Sequence, residues 1–240
     1  MAGAIALALS PDEMLSRAER QFNRLLDYTL PIVALLKGER ITAVIEENFG
    51  DWDIEDMWLP YYCVSTNLTA SRPEIHRRGN AARAIRASVA IPGVLPPVPS
   101  GGDLLVDGGV LNNLPAQVMR DDARIGTVIA VDMAPRIGPR ASSDFGLSVS
   151  GVRALRGNRT SMAYPKLTSV LMRSMMTGAV RNQQLSNAAG VVDLMLELNL
   201  SGVGLLDFSR VREVAERGHA GAIGPVREWV ATQVWADDRP

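Results

Sequence analysis

The stretch LLVDGGVLNNLP, residues 104–115, places a carboxylate at the end of an apolar run and directly before two glycines. Asp-Gly is a favoured turn dipeptide, so turn formation alone explains Asp107. The surroundings of Asp107 also fit a catalytic carboxylate held firmly between two elements. The apolar run before it predicts a strand, and Asn113 and Pro115 predict the start of a helix after it. Ligands of open α/β sheets bind beyond the carboxyl ends of the strands, which is where Asp107 would stand. Turn residue and general base are both open interpretations of this position.

Other groups that commonly carry chemistry are few: two histidines, His76 and His219, and one cysteine, Cys63. The histidines lie far apart without an H-E-x-x-H spacing, and one cysteine builds neither a disulfide framework nor a Cys-rich metal site, so no metal site is expected. His76 stands in the charged segment EIHRRG and is expected to be solvated, whereas His219 is expected to be a packed or surface residue of a helix. The sequence contains neither G-x-x-x-x-G-K-[ST] nor G-x-G-x-x-G, so no phosphate-cradling loop and no cofactor are predicted.

Bulk composition is that of an ordinary globular domain. The chain has 240 residues, of which 47% are hydrophobic and 21% charged, with a formal net charge of -1. That balance excludes the basic footprint typical of nucleic-acid binding. The opening apolar run, residues 2–9, is too short for a transmembrane helix and lacks the positive start of a signal peptide. We therefore expect a cytoplasmic protein with peripheral membrane contact at most.

Hydrophobic periodicity predicts alternating helices and strands. Ser10, Pro11 and Glu13 form the sequence pattern of a capping box at a helix start. Strands alternating with helices predict an α/β fold, a central and mainly parallel sheet with helices on both faces. Residues 134–164 lack periodicity and are predicted to be a long loop or lid. The predicted helices are 10–28, 39–50, 80–90, 114–122, 165–190 and 206–235, and the predicted strands are 59–69, 72–79, 103–106, 126–133 and 191–200, with a Pro/Gly loop at 91–102.

Four stretches in this order resemble the patatin-like phospholipase family, most closely its bacterial members and its neuropathy target esterase branch. Residues 107–115 carry D-G-G-x-x-x-N-x-P, and RAIRASVAIPGVLPPV lies just upstream. PYYCVSTNLTASRPEIHRRG resembles the strand-and-hairpin segment of that branch, and LLDFSRVREVAERGHAGA resembles its terminal helix. The resemblance implies one patatin-like domain over residues 1–240 with a three-layer α/β arrangement.

The resemblance also implies a Ser-Asp dyad, in which a serine attacks an ester carbonyl and an aspartate takes its proton. Asp107, Gly108 and Gly109 match the aspartate motif, so Asp107 would be the general base. The implied substrates are phospholipids, lysophospholipids or other carboxylic esters, without a cofactor or nucleic acid.

The family's serine sits in a G-x-S-x-G elbow, and no serine of this sequence has glycine two residues away on both sides. The segment 146–150 comes closest but ends in Ser150. Since the chain opens Met-Ala-Gly-Ala, Met1 falls at the position of the nucleophile and Gly3 matches the second elbow glycine. The Gly-rich oxyanion loop is not found either. We therefore expect that the first strands and the serine are missing, and that the 240-residue chain is inactive and poorly stable.

Two alternatives stay open. One is a non-catalytic relative that keeps the fold to bind lipid or a partner. The other is a hydrolase that pairs Asp107 with an internal serine, Ser65 on a predicted strand or Ser88 before the Pro-rich loop, although neither has the setting of an elbow.

Overall fold

The computed structural model describes residues 2–23, 25–133, 190–204 and 206–233, with a few single positions between 148 and 178. Almost all of the predicted lid at 134–164, and most of the predicted helix at 165–190, lie outside the described residues. The described part is α/β, which confirms the predicted class.

Helices form largely where the periodicity predicts them. Ser10 accepts a hydrogen bond from the backbone N–H of Glu13 at 3.3 Å, and the Glu13 carboxylate accepts one from the Ser10 N–H at 2.9 Å, so the predicted capping box is present. Asn80 caps another helix by accepting from the Arg83 N–H at 3.0 Å. The α-helices are α1 (Ala2–Ala6), α2 (Pro11–Phe22), α3 (Glu39–Phe49), α4 (Ala81–Ser88), α5 (Ala116–Arg120) and α6 (Val211–Ala231).

The strands lie in two sheets. The first has the order β2-β1-β4-β3 and the second pairs β5 with β6. Their bounds are β1 (Cys63–Asn67), β2 (Arg72–His76), β3 (Val98–Ser100), β4 (Asp103–Asp107), β5 (Ile129–Asp132) and β6 (Leu194–Glu197).

The larger sheet is antiparallel at every pairing, and β5 and β6 run parallel. The sequence predicts a mainly parallel sheet. Among the described strands only the pair β5 and β6 is parallel, as that prediction requires. The physical reason for two of the three pairings is the length of the connections: residues 68–71 join β1 to β2, and Gly101 and Gly102, both with positive φ, join β3 to β4. Connections this short can only return a strand antiparallel to its neighbour. The edge strand β3 contains Pro99 and lies inside the segment predicted to be a loop.

Small side chains bring α4 close to the sheet. Ala81, Ala84 and Ala87 are buried on α4, and all five residues of β1 are buried beside it. Val106 of β4 is 2% exposed. The end of β4 therefore lies beside buried residues of α4 and β1.

Helix α1 packs on one face only. Gly3 and Ala6 are buried, and a Cβ on Gly3 would lie 3.1 Å from the Phe49 ring. Ile5 on the opposite face is 52% exposed. Helix α1 is therefore covered on one side only, and it ends at Ala6.

One loop presents a run of apolar side chains to solvent. Tyr28 and Leu36 form a bridge that closes this loop, and Leu30, Ile32 and Val33 between them are 73%, 82% and 66% exposed. Among the helices of the described residues, none has the length and apolar character needed to cross a membrane.

Candidate active site

Asp107 is the last residue of β4 and is fixed by three contacts. It pairs with Ser65 of β1, its backbone N–H donates to the carbonyl of Ala90 at 3.0 Å, and its Oδ1 accepts from the Gly109 N–H at 2.7 Å. The first two contacts hold the backbone and the third holds the carboxylate. Asp107 therefore presents one oriented oxygen acceptor at a strand end, as the sequence predicts.

The two glycines of the motif are required by close approach. A Cβ on Gly108 would lie 2.4 Å from the backbone oxygen of Val64, and one on Gly109 would lie 2.9 Å from the Asp107 carboxylate. Gly108 opens the short 3-10 turn Gly108–Val110, for which Asp107 is the capping residue. The turn is glycine-rich because no side chain fits between the two strands at this point.

A cavity of about 620 Å³ opens beside this carboxylate. Its walls are mostly apolar, with Asp107, Ser88, Asn112 and Asn113 among the polar side chains. A cavity of this size and character suits a small amphipathic ligand. The apolar lining includes Ala2, Ile5, Ala6, Phe49, Leu59, Tyr61, Val89 and Met119.

Burial in this cavity wall raises the pKa of Asp107 to about 6, against a smaller lowering by the Gly109 N–H hydrogen bond. A carboxylate whose pKa lies near neutrality is a better proton acceptor than an ordinary aspartate and still ionises at neutral pH.

Burial also raises the pKa of the Cys63 thiol to about 11, so Cys63 stays protonated and is a poor nucleophile.

Ser65 does not reach the cavity. Its side chain is fully buried, and its Oγ is hydrogen-bonded to Nε2 of His76 at 2.8 Å. The alternative in which Ser65 attacks a substrate is therefore not supported. His76 lies on β2, within the predicted strand, but it is partly buried and burial lowers its pKa, so the expectation that it is solvated is wrong. The alternation of β2 brings His76 and Ser65 to the same face of the sheet.

Ser88 ends α4 and does line the cavity with Asp107, although no hydrogen bond joins the two side chains. His219 is an exposed residue of α6, which agrees with the surface alternative given for it. Within the described parts of the chain, no three His, Cys, Asp or Glu side chains come together as a metal site.

Met1 lies outside the described residues, but its neighbours do not. Ala2 and Gly3 line the same cavity as Asp107, Gly108 and Gly109. The start of α1 and the end of β4 are thus brought together, as a dyad drawn from these two segments requires.

Comparison with known families matches residues 1–120 to the patatin-like phospholipase model, a range that includes Asp107. An uncharacterized NTE family protein of Mycobacterium tuberculosis is 36% identical over 232 residues, which cover 91% of this chain and 38% of that protein. Lysophospholipase NTE1 of Debaryomyces hansenii is 32% identical over 90% of this chain and 14% of its own length. Neuropathy target esterase sws of Drosophila melanogaster is 40% identical over 50% of this chain and 9% of its own length. The chain thus spans well under half of the relatives that it matches.

Gly108→Ala is expected to lower the free energy of unfolding by about 1–3 kcal/mol, because its Cβ meets the Val64 oxygen and the β1–β4 contact must open. Gly126→Ala is the matched control, since a Cβ there meets nothing within 4 Å, and it should change stability by less than about 0.5 kcal/mol. Urea unfolding followed by circular dichroism measures both. Equal stability of the two variants would contradict the close contact.

Asp107→Asn is expected to stabilise the chain at pH 7. The native pKa of about 6 lies above the ordinary value of 3.8, so the unfolded state ionises first as pH rises. The free energy of unfolding therefore falls between pH 4 and pH 6, and the full penalty is present above pH 6. Asn removes this penalty and keeps an oxygen for the Gly109 N–H, so it should gain about 1–3 kcal/mol at pH 7 and little at pH 4.

Urea unfolding of wild type and Asp107→Asn across this pH range measures the difference. Asp51→Asn, at an exposed aspartate, is the matched control. A wild-type chain as stable as Asp107→Asn at pH 7 would show that burial does not penalise the charge.

Proposed function

The chain belongs to the patatin-like phospholipase family, and from this premise we propose that it supplies Asp107 as the general base of a lipid acyl hydrolase. The proposed reaction is hydrolysis of carboxylic esters in phospholipids or lysophospholipids by a Ser-Asp dyad. The observation that carries the proposal is the cavity shared by Asp107 and by Ala2 and Gly3, since the family resemblance puts the serine immediately before Ala2.

In the proposed reaction the serine Oγ bonds to the ester carbonyl carbon while its proton passes to the Asp107 carboxylate. The ester C–O bond then breaks, and the same proton goes to the leaving alkoxide. A water molecule next attacks the acyl-serine and gives its proton to Asp107, which returns it to the serine as the fatty acid leaves. A carboxylate can do this when it lies within hydrogen-bond reach of the hydroxyl, so no histidine is needed.

The cavity walls support this chemistry in two ways. Their apolar surface suits an acyl chain, and they raise the pKa of Asp107 toward neutrality. The hydrogen bond from the Gly109 N–H leaves the second carboxylate oxygen, Oδ2, for the serine proton.

For the 240-residue chain alone we propose lipid binding without turnover. No serine here stands in a G-x-S-x-G elbow, and no G-G-G-x-R-G loop is found for the oxyanion. Each missing oxyanion donor commonly costs about 3 kcal/mol of transition-state stabilisation. A non-catalytic lipid-binding role is the second candidate, because the apolar cavity needs no serine to hold a lipid.

We also propose peripheral contact with a lipid surface through the loop of Leu30, Ile32 and Val33. Exposed apolar side chains at a loop tip can enter the headgroup region without spanning the bilayer. A contact there would bring an ester to the cavity from a membrane rather than from water.

Joining the segment of the mycobacterial relative that precedes its matching region to Ala2, in place of Met1, tests the proposed dyad. We expect this chimera to hydrolyse a lysophospholipid, and Asp107→Asn in the chimera to abolish hydrolysis by at least about 100-fold because Asn cannot accept the proton. Asp51→Asn in the same chimera is the control. Turnover that survives Asp107→Asn would overturn the assignment of the base, and a folded, inactive chimera would favour the binding role.

A further inference from the structure

A second cavity, of about 480 Å³, adjoins the one that holds Asp107. The two share lining residues, among them Tyr61 and Tyr62, the residues that lead into β1. The second cavity differs in its charge, because three arginines line it: Arg77, Arg78 and Arg124.

Sheet topology explains why the two cavities adjoin. Strands β2 and β4 both run antiparallel to the central strand β1, so both end at the edge where β1 begins. Asp107 ends β4, and Arg77 and Arg78 directly follow the end of β2. Two strand spacings of about 4.8 Å and three residue rises of about 3.4 Å put the α-carbons of Asp107 and Arg77 about 14 Å apart. Long arginine side chains can close much of that separation.

Arg77 is held in place. Its guanidinium carbon lies 5.4 Å from the centre of the Tyr62 ring, and its Nη2 donates to the Val118 carbonyl at 3.2 Å. Tyr62 is fixed in turn, because its hydroxyl donates to the Pro115 carbonyl at 3.0 Å. No salt bridge joins Arg77 to a carboxylate of the described residues. The oriented Arg77 guanidinium therefore keeps N–H donors that can bind an anion.

The remaining charges of this cavity leave it positive. Asp122 forms a two-bond ion pair with Arg124, at 2.9 and 2.7 Å, and thereby neutralises it. Glu55 accepts a hydrogen bond from the Gly79 N–H at 2.7 Å. Arg78 attracts Glu55 and Arg77 attracts Asp122 electrostatically, without a salt bridge in either case. Three arginines against these two carboxylates still leave the lining of this cavity with a net positive charge.

We propose that the second cavity binds the phosphate of a lipid head group while the Asp107 cavity takes the acyl chain. This inference rests on the proposed function of the Asp107 cavity and assigns Arg77 and Arg78 as the residues that hold the phosphate of its phospholipid or lysophospholipid. Guanidinium groups recognise a phosphate diester through charge-assisted hydrogen bonds, and a neutral glycerol offers no anion to them.

Equilibrium binding to the 240-residue chain tests the inference without a need for turnover. The probes are a lysophosphatidylcholine and a monoacylglycerol with the same short acyl chain, each below its critical micelle concentration and measured by isothermal titration calorimetry. We expect the lysophospholipid to bind about 10-fold more tightly. Arg78→Gln, which breaks no hydrogen bond of the described structure, and Arg77→Gln should each remove most of that preference and leave monoacylglycerol binding unchanged.

Arg227→Gln, at an exposed arginine of α6, is the matched control and should change neither affinity. Equal binding of the two lipids, unaffected by the arginine variants, would overturn the phosphate site and leave the proposed function standing. Failure of both lipids to bind would contradict the proposed function and this inference together. Inorganic phosphate that binds as tightly as the lysophospholipid would show a free-phosphate site and overturn the link to lipids.

Discussion

The contact between Gly108 and the backbone of β1 is the constraint on which the site depends. The position of a Gly108 Cβ would be only 2.4 Å from the Val64 oxygen, so the turn after β4 lies against the neighbouring strand with no room for a side chain. Because β1 is buried along its whole length and α4 covers it with alanines, the surface below that turn cannot yield easily. The backbone of Asp107 is therefore held rigidly next to this turn. The hydrogen bond from the Gly109 N–H then orients its carboxylate.

The same packing raises the pKa of the Asp107 carboxylate and thereby lowers the free energy of unfolding at neutral pH. An apolar cavity wall is a poor environment for a negative charge, so the pKa of Asp107 rises toward neutrality. An exposed aspartate would suffer no such penalty, but it would be too weak a base to take a proton from an alcohol. Groups kept in an unfavourable environment are typical of sites where function and stability conflict. This environment supports the proposal that Asp107 acts as a general base, and Asp107 also caps the turn that follows β4.

Much of this could be predicted from the sequence because the signals are local. The Ser10 capping box, the helix ending near Ser88 and the strand ending at Asp107 each depend on neighbouring residues, and each is present. The antiparallel order β2-β1-β4-β3 was not predicted, because strand order depends on contacts between residues far apart in the chain. The hydrogen bond between His76 and Ser65 was missed for the same reason: the sequence predicts a strand over 72–79 but not its register against β1. That register puts His76 on the face of the sheet that holds Ser65.

The pKa of Asp107 is the most direct test of the central claim that the fold holds a partly buried carboxylate with a raised pKa at the end of β4. Titration of aspartate side-chain carboxyl carbons by NMR, with the Asp107 signal assigned by its loss in Asp107→Asn, measures this value in the folded 240-residue chain. The structure predicts a pKa of about 6. A value at or below the ordinary 3.8 would show that Asp107 is a solvated or ion-paired turn residue and would contradict its assignment as a base.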